Sequence, residues 1–183
     1  VLAHQLALPE VTGLSNVCAA RNVDTLYEPA WQHYQHHYRQ INGQHSAVYP
    51  GVAEGLAQLR ANGLPMACLT NKPRAFALDL LRAKGLEGFF SVVFGGDSFE
   101  RKKPDPLPLV RTCEALGTTP AQTLMIGDSQ NDALAARAAG CPVALVTYGY
   151  NHGEPVQAVD ADAHIDRICL LYTSPSPRDL STS

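Results

Sequence analysis

The sequence predicts a doubly wound α/β fold, in which helices cover both faces of a parallel sheet. From Val48 onward, short and wholly apolar runs alternate with amphipathic segments of helical period, and glycine or proline residues separate them. Fully apolar strands are typical of parallel sheets that are buried on both faces. A chain of 183 residues with 45% apolar and 17% charged residues is suited to one such domain.

The expected elements follow one another in a regular order. In the helical segments apolar residues recur at three- and four-residue spacing, and the strands are runs of about four to six apolar residues. Helices are expected over 51–62, from Pro73 to Gly85, over about 107–116 and over 132–139, and strands over 64–69, 91–94, 123–126 and 143–146. Ligands of this fold bind beyond the carboxyl ends of the strands, so the residues that follow the strands are the candidates for a site.

Residues 1–45 have a different pattern, and we interpret them as the remnant of a separate helical cap. A helical period runs from Thr25 to Ile41 with no strand nearby. This segment carries three histidines and could in principle hold a metal. A solvated helix face is favoured, because no carboxylate or cysteine completes a ligand set nearby. The histidines are His33, His36 and His37.

A Gly127-Asp128-Ser129-x-x-Asp132 string lies where a predicted strand gives way to a helix. Two carboxylates four residues apart at this junction face the same edge of the sheet. Hard oxygen ligands of this kind suit Mg²⁺, which binds few carboxylates together with water and phosphate oxygens. The alternative is an ordinary helix start, with Asp128 or Ser129 as the cap and Asp132 at the favourable end of the helix dipole.

Two further segments strengthen the interpretation of that string as a functional site. Thr70 and Asn71 end a buried strand and offer a hydroxyl and a backbone N–H to a phosphate oxygen, although a simple turn before Pro73 explains them as well. Lys103 offers positive charge to a phosphoryl group, although by itself it suits a solvated basic loop. The order of the three segments makes a phosphate site the better interpretation.

At this point the sequence resembles motifs two, three and four of the haloacid dehalogenase superfamily of phosphohydrolases, and within it the bacterial phosphoglycolate phosphatase family. The resemblance covers residues 48 to about 166. Its strings are Tyr49-Pro50-Gly51-Val52, Cys68-Leu69-Thr70-Asn71-Lys72-Pro73, Phe94-Gly95-Gly96-Asp97, Lys102-Lys103-Pro104, Ile126-Gly127-Asp128-Ser129-Gln130-Asn131-Asp132, Ala138-Ala139-Gly140-Cys141-Pro142 and Thr147-Tyr148-Gly149-Tyr150-Asn151.

The resemblance implies a Rossmann-like core, Mg²⁺ as cofactor and a small phosphomonoester, 2-phosphoglycolate, as substrate. An aspartate would attack the phosphorus, and water would hydrolyse the aspartyl-phosphate. By position, Thr70 would hydrogen-bond the phosphoryl group and Lys103 would stabilise both it and the nucleophile. Asp128 would bind Mg²⁺, and Asp132 would orient Lys103 or a metal-bound water. Asn71 is a further candidate for phosphate contact.

The first motif of the family, Asp-x-Asp-Gly-Thr, does not occur before Thr70. Asp160-Ala161-Asp162 has the spacing of the aspartates but no following Gly-Thr, and a surface turn is expected there. We therefore expect the chain to begin within the cap of a longer phosphatase, so that residues 46–168 form the core without its first strand. We expect no hydrolysis by residues 1–183 themselves.

Residues 169–183 have neither strand nor helix period. They match the conceptual translation of a sequencing adaptor, so we expect a non-native tail. The alternative is a natural disordered Ser/Pro tail.

Bulk properties narrow the partners. A net charge of -3 argues against nucleic-acid binding, and no apolar run reaches the roughly 20 residues that span a bilayer. The five cysteines are scattered and odd in number, which favours buried thiols in a reducing cytoplasm. Oligomeric state is left open.

Three other functions stay open at this stage. The first is a phosphohydrolase of the same superfamily that acts on a sugar phosphate or pyrophosphate. The second is a non-catalytic domain that binds a phosphate ligand or a partner. The third is a phospho-receiver domain, which ranks last because its acidic pair is expected near the amino terminus.

Overall fold

The computed structural model describes residues 24–44, 46–151 and 153–168. The first helix lies in the predicted cap segment, and helices and strands then alternate through the core. The helices are α1 (Asp24–Ile41), α2 (Val52–Ala61), α3 (Arg74–Ala83), α4 (Leu107–Leu116) and α5 (Gln130–Ala139). The strands are β1 (Ala67–Leu69), β2 (Val92–Phe94), β3 (Met125–Gly127), β4 (Val143–Val146) and β5 (Ala163–Ile165).

All pairings among the described strands are parallel, as the sequence predicts. β1 pairs with β2, with Cys68 opposite Val93, and β3, β4 and β5 form a second group in that order. Strands of the same direction end at one edge, which brings Thr70 and Asp128 to the carboxyl side of the sheet.

Apolar side chains pack on both faces of the strands. On one face, Cys68 of β1 and Ile126 of β3 share a buried cluster with Leu56 of α2. On the other face, Leu69 of β1 and Met125 of β3 share a cluster with residues of α4 and α5. Both strand groups therefore contribute to the same two apolar layers, and the doubly wound α/β prediction is confirmed.

The element boundaries differ from the predictions in small ways that have physical causes. α5 begins at Gln130 rather than 132, because Ser129 takes the capping position with extended backbone. β5 was not predicted. It has three residues, and Ala163 and His164 are exposed, so no apolar run marks it. The predictions for residues 1–23 and for the tail at 169–183 lie outside the described residues.

α1 packs on the core through aromatic side chains. The Tyr38 ring is buried and lies 4.8 Å from the ring of Phe76, in the first turn of α3. The histidines at 33, 36 and 37 are exposed on this helix. Within the described residues, no group of three His, Cys, Asp or Glu residues could hold a metal ion, and no helix is long and apolar enough to cross a membrane.

Candidate active site at the strand ends

The turn from β3 into α5 is organised by Asp132. Its Oδ2 accepts hydrogen bonds from the backbone N–H of Asp128 at 3.1 Å, the N–H of Ser129 at 3.2 Å and the Ser129 hydroxyl at 2.9 Å. These donors are unpaired at a helix start, and a folded-back carboxylate satisfies them. A Cβ on Gly127 would lie 2.4 Å from the Asp132 Cβ, so only glycine fits beneath this side chain.

Lys103 ties this turn to the end of β1. Its ammonium lies 2.7 Å from Asp132 Oδ1 and donates to the carbonyl oxygen of Leu69 at 3.0 Å. Both side chains of the ion pair are almost fully buried, at 2% and 1% exposure. A buried charge must be paired and hydrogen-bonded to be tolerated, and both carboxylate oxygens of Asp132 are engaged. Lys103 is therefore fixed at the strand ends by the chain itself.

Asp128 differs from Asp132 in keeping one oxygen unengaged. Its Oδ2 accepts a hydrogen bond from the Tyr150 N–H at 3.1 Å, whereas its Oδ1 is buried and has no hydrogen-bond partner. Burial, followed by the nearby charge of Asp132, raises the pKa of Asp128 well above its usual range. A Cβ on Gly149 would lie 2.0 Å from the Asp128 Cβ, so the Tyr150 bond depends on glycine at 149.

The buried Oδ1 of Asp128 indicates whether the residues of this site suit a metal ion. A carboxylate oxygen without a donor is costly in a buried place, and a cation is the partner that removes the cost. Mg²⁺ uses few carboxylates and completes its shell with water and phosphate oxygens, so a single ligand from Asp128 fits it. The described residues supply this one carboxylate oxygen and do not form a closed ligand cage.

Thr70 and Asn71 follow β1 and play different parts. The Thr70 hydroxyl is buried and accepts a hydrogen bond from the Lys72 N–H at 3.2 Å, which leaves its own proton to donate. The Asn71 amide holds the backbone of Lys103. It donates to the Lys103 carbonyl oxygen at 2.8 Å and accepts from the Lys103 N–H at 3.1 Å. The Asn71 oxygen and one of its two side-chain N–H donors are thereby engaged, and the contact of Asn71 with phosphate stays a prediction.

The predicted site residues thus form one connected set. Asp128 and Asp132 meet through the α5 turn, Asp132 meets Lys103, and Lys103 meets Asn71. Thr70 stands next to Leu69, the residue whose carbonyl oxygen accepts from Lys103. The roles assigned to these residues remain predictions.

Asp160 and Asp162 lie away from this set. Both carboxylates bind Arg137 of α5, at 2.9 Å each, and their side chains are 82% and 44% exposed. The two aspartates lie at the surface, as predicted, but the segment forms no assigned turn, and β5 begins directly after Asp162.

Sequence reasoning missed three contacts at the site. The Tyr150 N–H bonds Asp128, and Asn151 Oδ1 accepts from the Gln130 N–H at 2.9 Å, which supports the start of α5. Lys72 Nζ donates to the Tyr38 hydroxyl at 2.6 Å. Two of these contacts involve the backbone and the third joins distant segments, so no local pattern marks them.

The sequence of this chain is similar to those of known hydrolases. Residues 15–140 match the model of the haloacid dehalogenase-like hydrolases. A phosphoglycolate phosphatase of Thiobacillus denitrificans is 50% identical over 138 residues, which are 75% of this chain and 61% of that protein. One of Nitrosospira multiformis is 50% identical over 130 residues, which are 71% of this chain and 57% of that protein. The chain thus spans less than two thirds of the length of these relatives.

Solved structures resemble the fold over most of the chain. A crystal structure described as a predicted phosphoglycolate phosphatase of Haemophilus somnus has a TM-score of 0.78 and 32% identity, and the match covers 87% of this chain and 72% of that one. A putative β-phosphoglucomutase of Thermotoga maritima has a TM-score of 0.70 at 25% identity, and covers 91% of this chain and 77% of that one. With the match at residues 15–140, these likenesses show that the chain belongs to the haloacid dehalogenase-like hydrolase family.

Proposed function

We propose that this chain is the phosphate- and metal-binding part of a Mg²⁺-dependent phosphohydrolase that acts on 2-phosphoglycolate. The observation that carries the proposal is the buried Asp128 Oδ1, which has no hydrogen-bond partner and lies beside the Lys103–Asp132 pair. The substrate rests on relatives that are named phosphoglycolate phosphatase and are 50% identical to this chain. A cytoplasmic location is part of the proposal, since Cys68, Cys113 and Cys141 are free and buried.

Each side chain has a part that its contacts support. Asp128 would hold Mg²⁺ through Oδ1, and the bound ion would offset the negative charge of the phosphoryl oxygens. Lys103 presents a fixed positive charge, because Asp132 and the Leu69 carbonyl oxygen hold its ammonium in place before any ligand arrives. The Thr70 hydroxyl, which accepts from the Lys72 N–H, would donate its proton to a phosphoryl oxygen.

A binding experiment on the 183-residue chain tests this proposal without any turnover. Calorimetric titration of 2-phosphoglycolate should show tighter binding when Mg²⁺ is present, and by linkage Mg²⁺ should bind tighter when 2-phosphoglycolate is present. Asp128→Asn should abolish the coupling, because the amide keeps the shape of the carboxylate but not its charge. Asp160→Asn, on an exposed carboxylate, is the matched control and should leave the coupling intact. Equal Mg²⁺ affinity in the wild type and Asp128→Asn would contradict the proposal.

Turnover requires a second experiment. The sequence holds no Asp-x-Asp-Gly-Thr string, so we expect the chain to bind 2-phosphoglycolate without hydrolysing it. A chimera would join the part of the Thiobacillus denitrificans relative that precedes its matched region to this chain, from the first residue matched by that relative to residue 168. It should release phosphate from 2-phosphoglycolate in preference to glucose 6-phosphate and pyrophosphate. A preference for either of the other two would favour a different phosphohydrolase of the same family.

A further inference from the structure

The Lys72 side chain carries a positive charge that the described residues do not neutralise. Its ammonium is partly buried, and its hydrogen-bond partner is the neutral Tyr38 hydroxyl at 2.6 Å. Among the described residues, no carboxylate lies within ion-pair distance of it. Burial lowers the pKa of Lys72 to about 8. A buried cation is expected to be paired, so an anion is the partner this place lacks.

The backbone of Lys72 is fixed beside the candidate phosphate site. Its N–H donates to Thr70 Oγ1 at 3.2 Å, and its carbonyl oxygen accepts from the Gly96 N–H at 2.9 Å. A Cβ on Gly96 would lie 2.1 Å from the Asn71 carbonyl oxygen, so the two loops touch and the turn is held rigidly. Two residues span at most about 7 Å of chain, so Lys72 starts within a short distance of the Thr70 hydroxyl.

The Tyr38 hydroxyl adds a second hydrogen-bond donor next to the Lys72 ammonium. Its ring packs against Phe76 at 4.8 Å and against Tyr34 at 5.5 Å, and these contacts fix the phenol. Burial, followed by Tyr34, raises the pKa of Tyr38 to about 12, so the phenol stays protonated at neutral pH. A phenol that accepts a bond from an ammonium keeps its own proton for donation. Lys72 and Tyr38 together thus offer an N–H and an O–H to one anionic group.

We propose that Lys72 and Tyr38 bind a second anionic group of the substrate, so that the site selects short phosphomonoesters that carry a carboxylate. This inference rests on the proposed function, because it places the phosphoryl group at Thr70 and Lys103. The second anion then lies on the α1 side of the same turn. Tyr38 belongs to α1, so the helical segment contributes a specificity-determining side chain to the site.

The test compares two phosphomonoesters that differ in the carboxylate alone. Calorimetric titrations of the 183-residue chain with Mg²⁺ would use 2-phosphoglycolate and ethyl phosphate. The wild type should bind 2-phosphoglycolate more tightly. Lys72→Met should weaken the binding of 2-phosphoglycolate by about tenfold, which is the size expected for a hydrogen bond to a charged group. The affinity for ethyl phosphate should stay within about twofold of the wild-type value. Tyr38→Phe should weaken 2-phosphoglycolate by about threefold, since a neutral donor contributes less.

Two control variants make the result specific. Lys72→Arg keeps the charge and should retain most of the preference for 2-phosphoglycolate. Lys102→Met removes a positive charge from an exposed position nearby and should leave the affinity for both ligands unchanged. Thermal unfolding of each variant shows that it is folded.

The possible failures are distinguishable. If the wild type binds neither ligand, the phosphate site itself is absent and the proposed function fails, and this inference fails with it. If Lys72→Met weakens both ligands equally, Lys72 contacts the phosphoryl group and the second-anion role is wrong. If the wild type binds both ligands equally and Lys72→Met changes neither, the second-anion role is again wrong, while the proposed phosphate site stands.

Discussion

Two lysines, Lys72 and Lys103, lie at the turn that follows β1, and they differ in whether a carboxylate of the described residues pairs with their charge. Lys103 is almost fully buried and is matched by Asp132 at 2.7 Å, with the Leu69 carbonyl oxygen as a second acceptor. Lys72 is partly buried and bonds a neutral phenol. The ammonium of Lys103 is needed by the fold, because its loss or that of its partner leaves a buried charge alone. The ammonium of Lys72 is available to a ligand.

This difference teaches how one turn can serve stability and recognition together. Asn71 holds the backbone of Lys103 and Thr70 holds the backbone of Lys72, so both lysines are positioned by neighbouring residues of the same strand end. Substitutions on the Lys103 side should therefore act on the free energy of unfolding. Substitutions on the Lys72 side should act on binding.

The largest effect is expected for Asp132→Asn. The variant leaves the Lys103 ammonium buried without a countercharge, and breaking such a buried pair costs about 3 kcal/mol of unfolding free energy. Urea denaturation of the wild type and the variant measures this difference.

Asp160→Asn is the matched control for that variant. Its carboxylate pairs with Arg137 at the surface, where ion pairs contribute about 0.5 kcal/mol or less. Similar losses in the two variants would show that the Lys103–Asp132 pair does not depend on burial, and the comparison between the two lysines would lose its basis.

A smaller effect is expected for Asn71→Ala. Two hydrogen bonds to the Lys103 backbone are lost in this variant. Its free energy of unfolding should be lower by about 1–2 kcal/mol, because each such bond contributes about 1 kcal/mol. Urea denaturation measures the difference. Asn62→Ala is the control, since its amide makes one exposed bond to the Gln58 carbonyl oxygen. If Asn62→Ala costs as much as Asn71→Ala, the clamp on Lys103 contributes nothing beyond an ordinary surface bond.

The sequence was sufficient for the features that depend on local order. α4 was predicted over 107–116 and lies at Leu107–Leu116, because a proline-rich loop precedes it and Gly117 ends it with a φ of 67°. Asp128 and Asp132 were placed together because a strand turns into a helix between them. This local geometry requires no knowledge of distant segments.

Contacts between distant segments were beyond such reasoning. Lys72 and Tyr38 are 34 residues apart, and their contact depends on how α1 packs against α3 through Phe76. The Asn71 amide bonds the Lys103 backbone, a contact that depends on the path of another loop, while its contact with phosphate stays a prediction. β5 was missed because two of its three residues are exposed and leave no apolar run.

The smallest effect is a pH dependence that separates the two lysines by charge. Because burial lowers the pKa of Lys72 to about 8, its ammonium is present below that pH and is lost as the pH rises above it. From α1, Tyr38 contacts the Lys72 ammonium and Tyr34 packs on the Tyr38 ring; the pKa values of both are raised, so neither gains charge in this range. The preference for 2-phosphoglycolate over ethyl phosphate should therefore fall about fivefold between pH 7 and pH 9, which is about 1 kcal/mol.

The ratio of the two binding constants cancels the titrations that affect 2-phosphoglycolate and ethyl phosphate equally. Both phosphates are dianionic above pH 7, since their second pKa is near 6, and any change of charge at Asp128 affects both ligands alike. Lys72→Arg should hold the ratio constant over the same range, because a guanidinium keeps its proton. A ratio that falls equally in Lys72→Arg would assign the titration to another group, and the available charge at the α1 side of the turn would then belong to a residue other than Lys72.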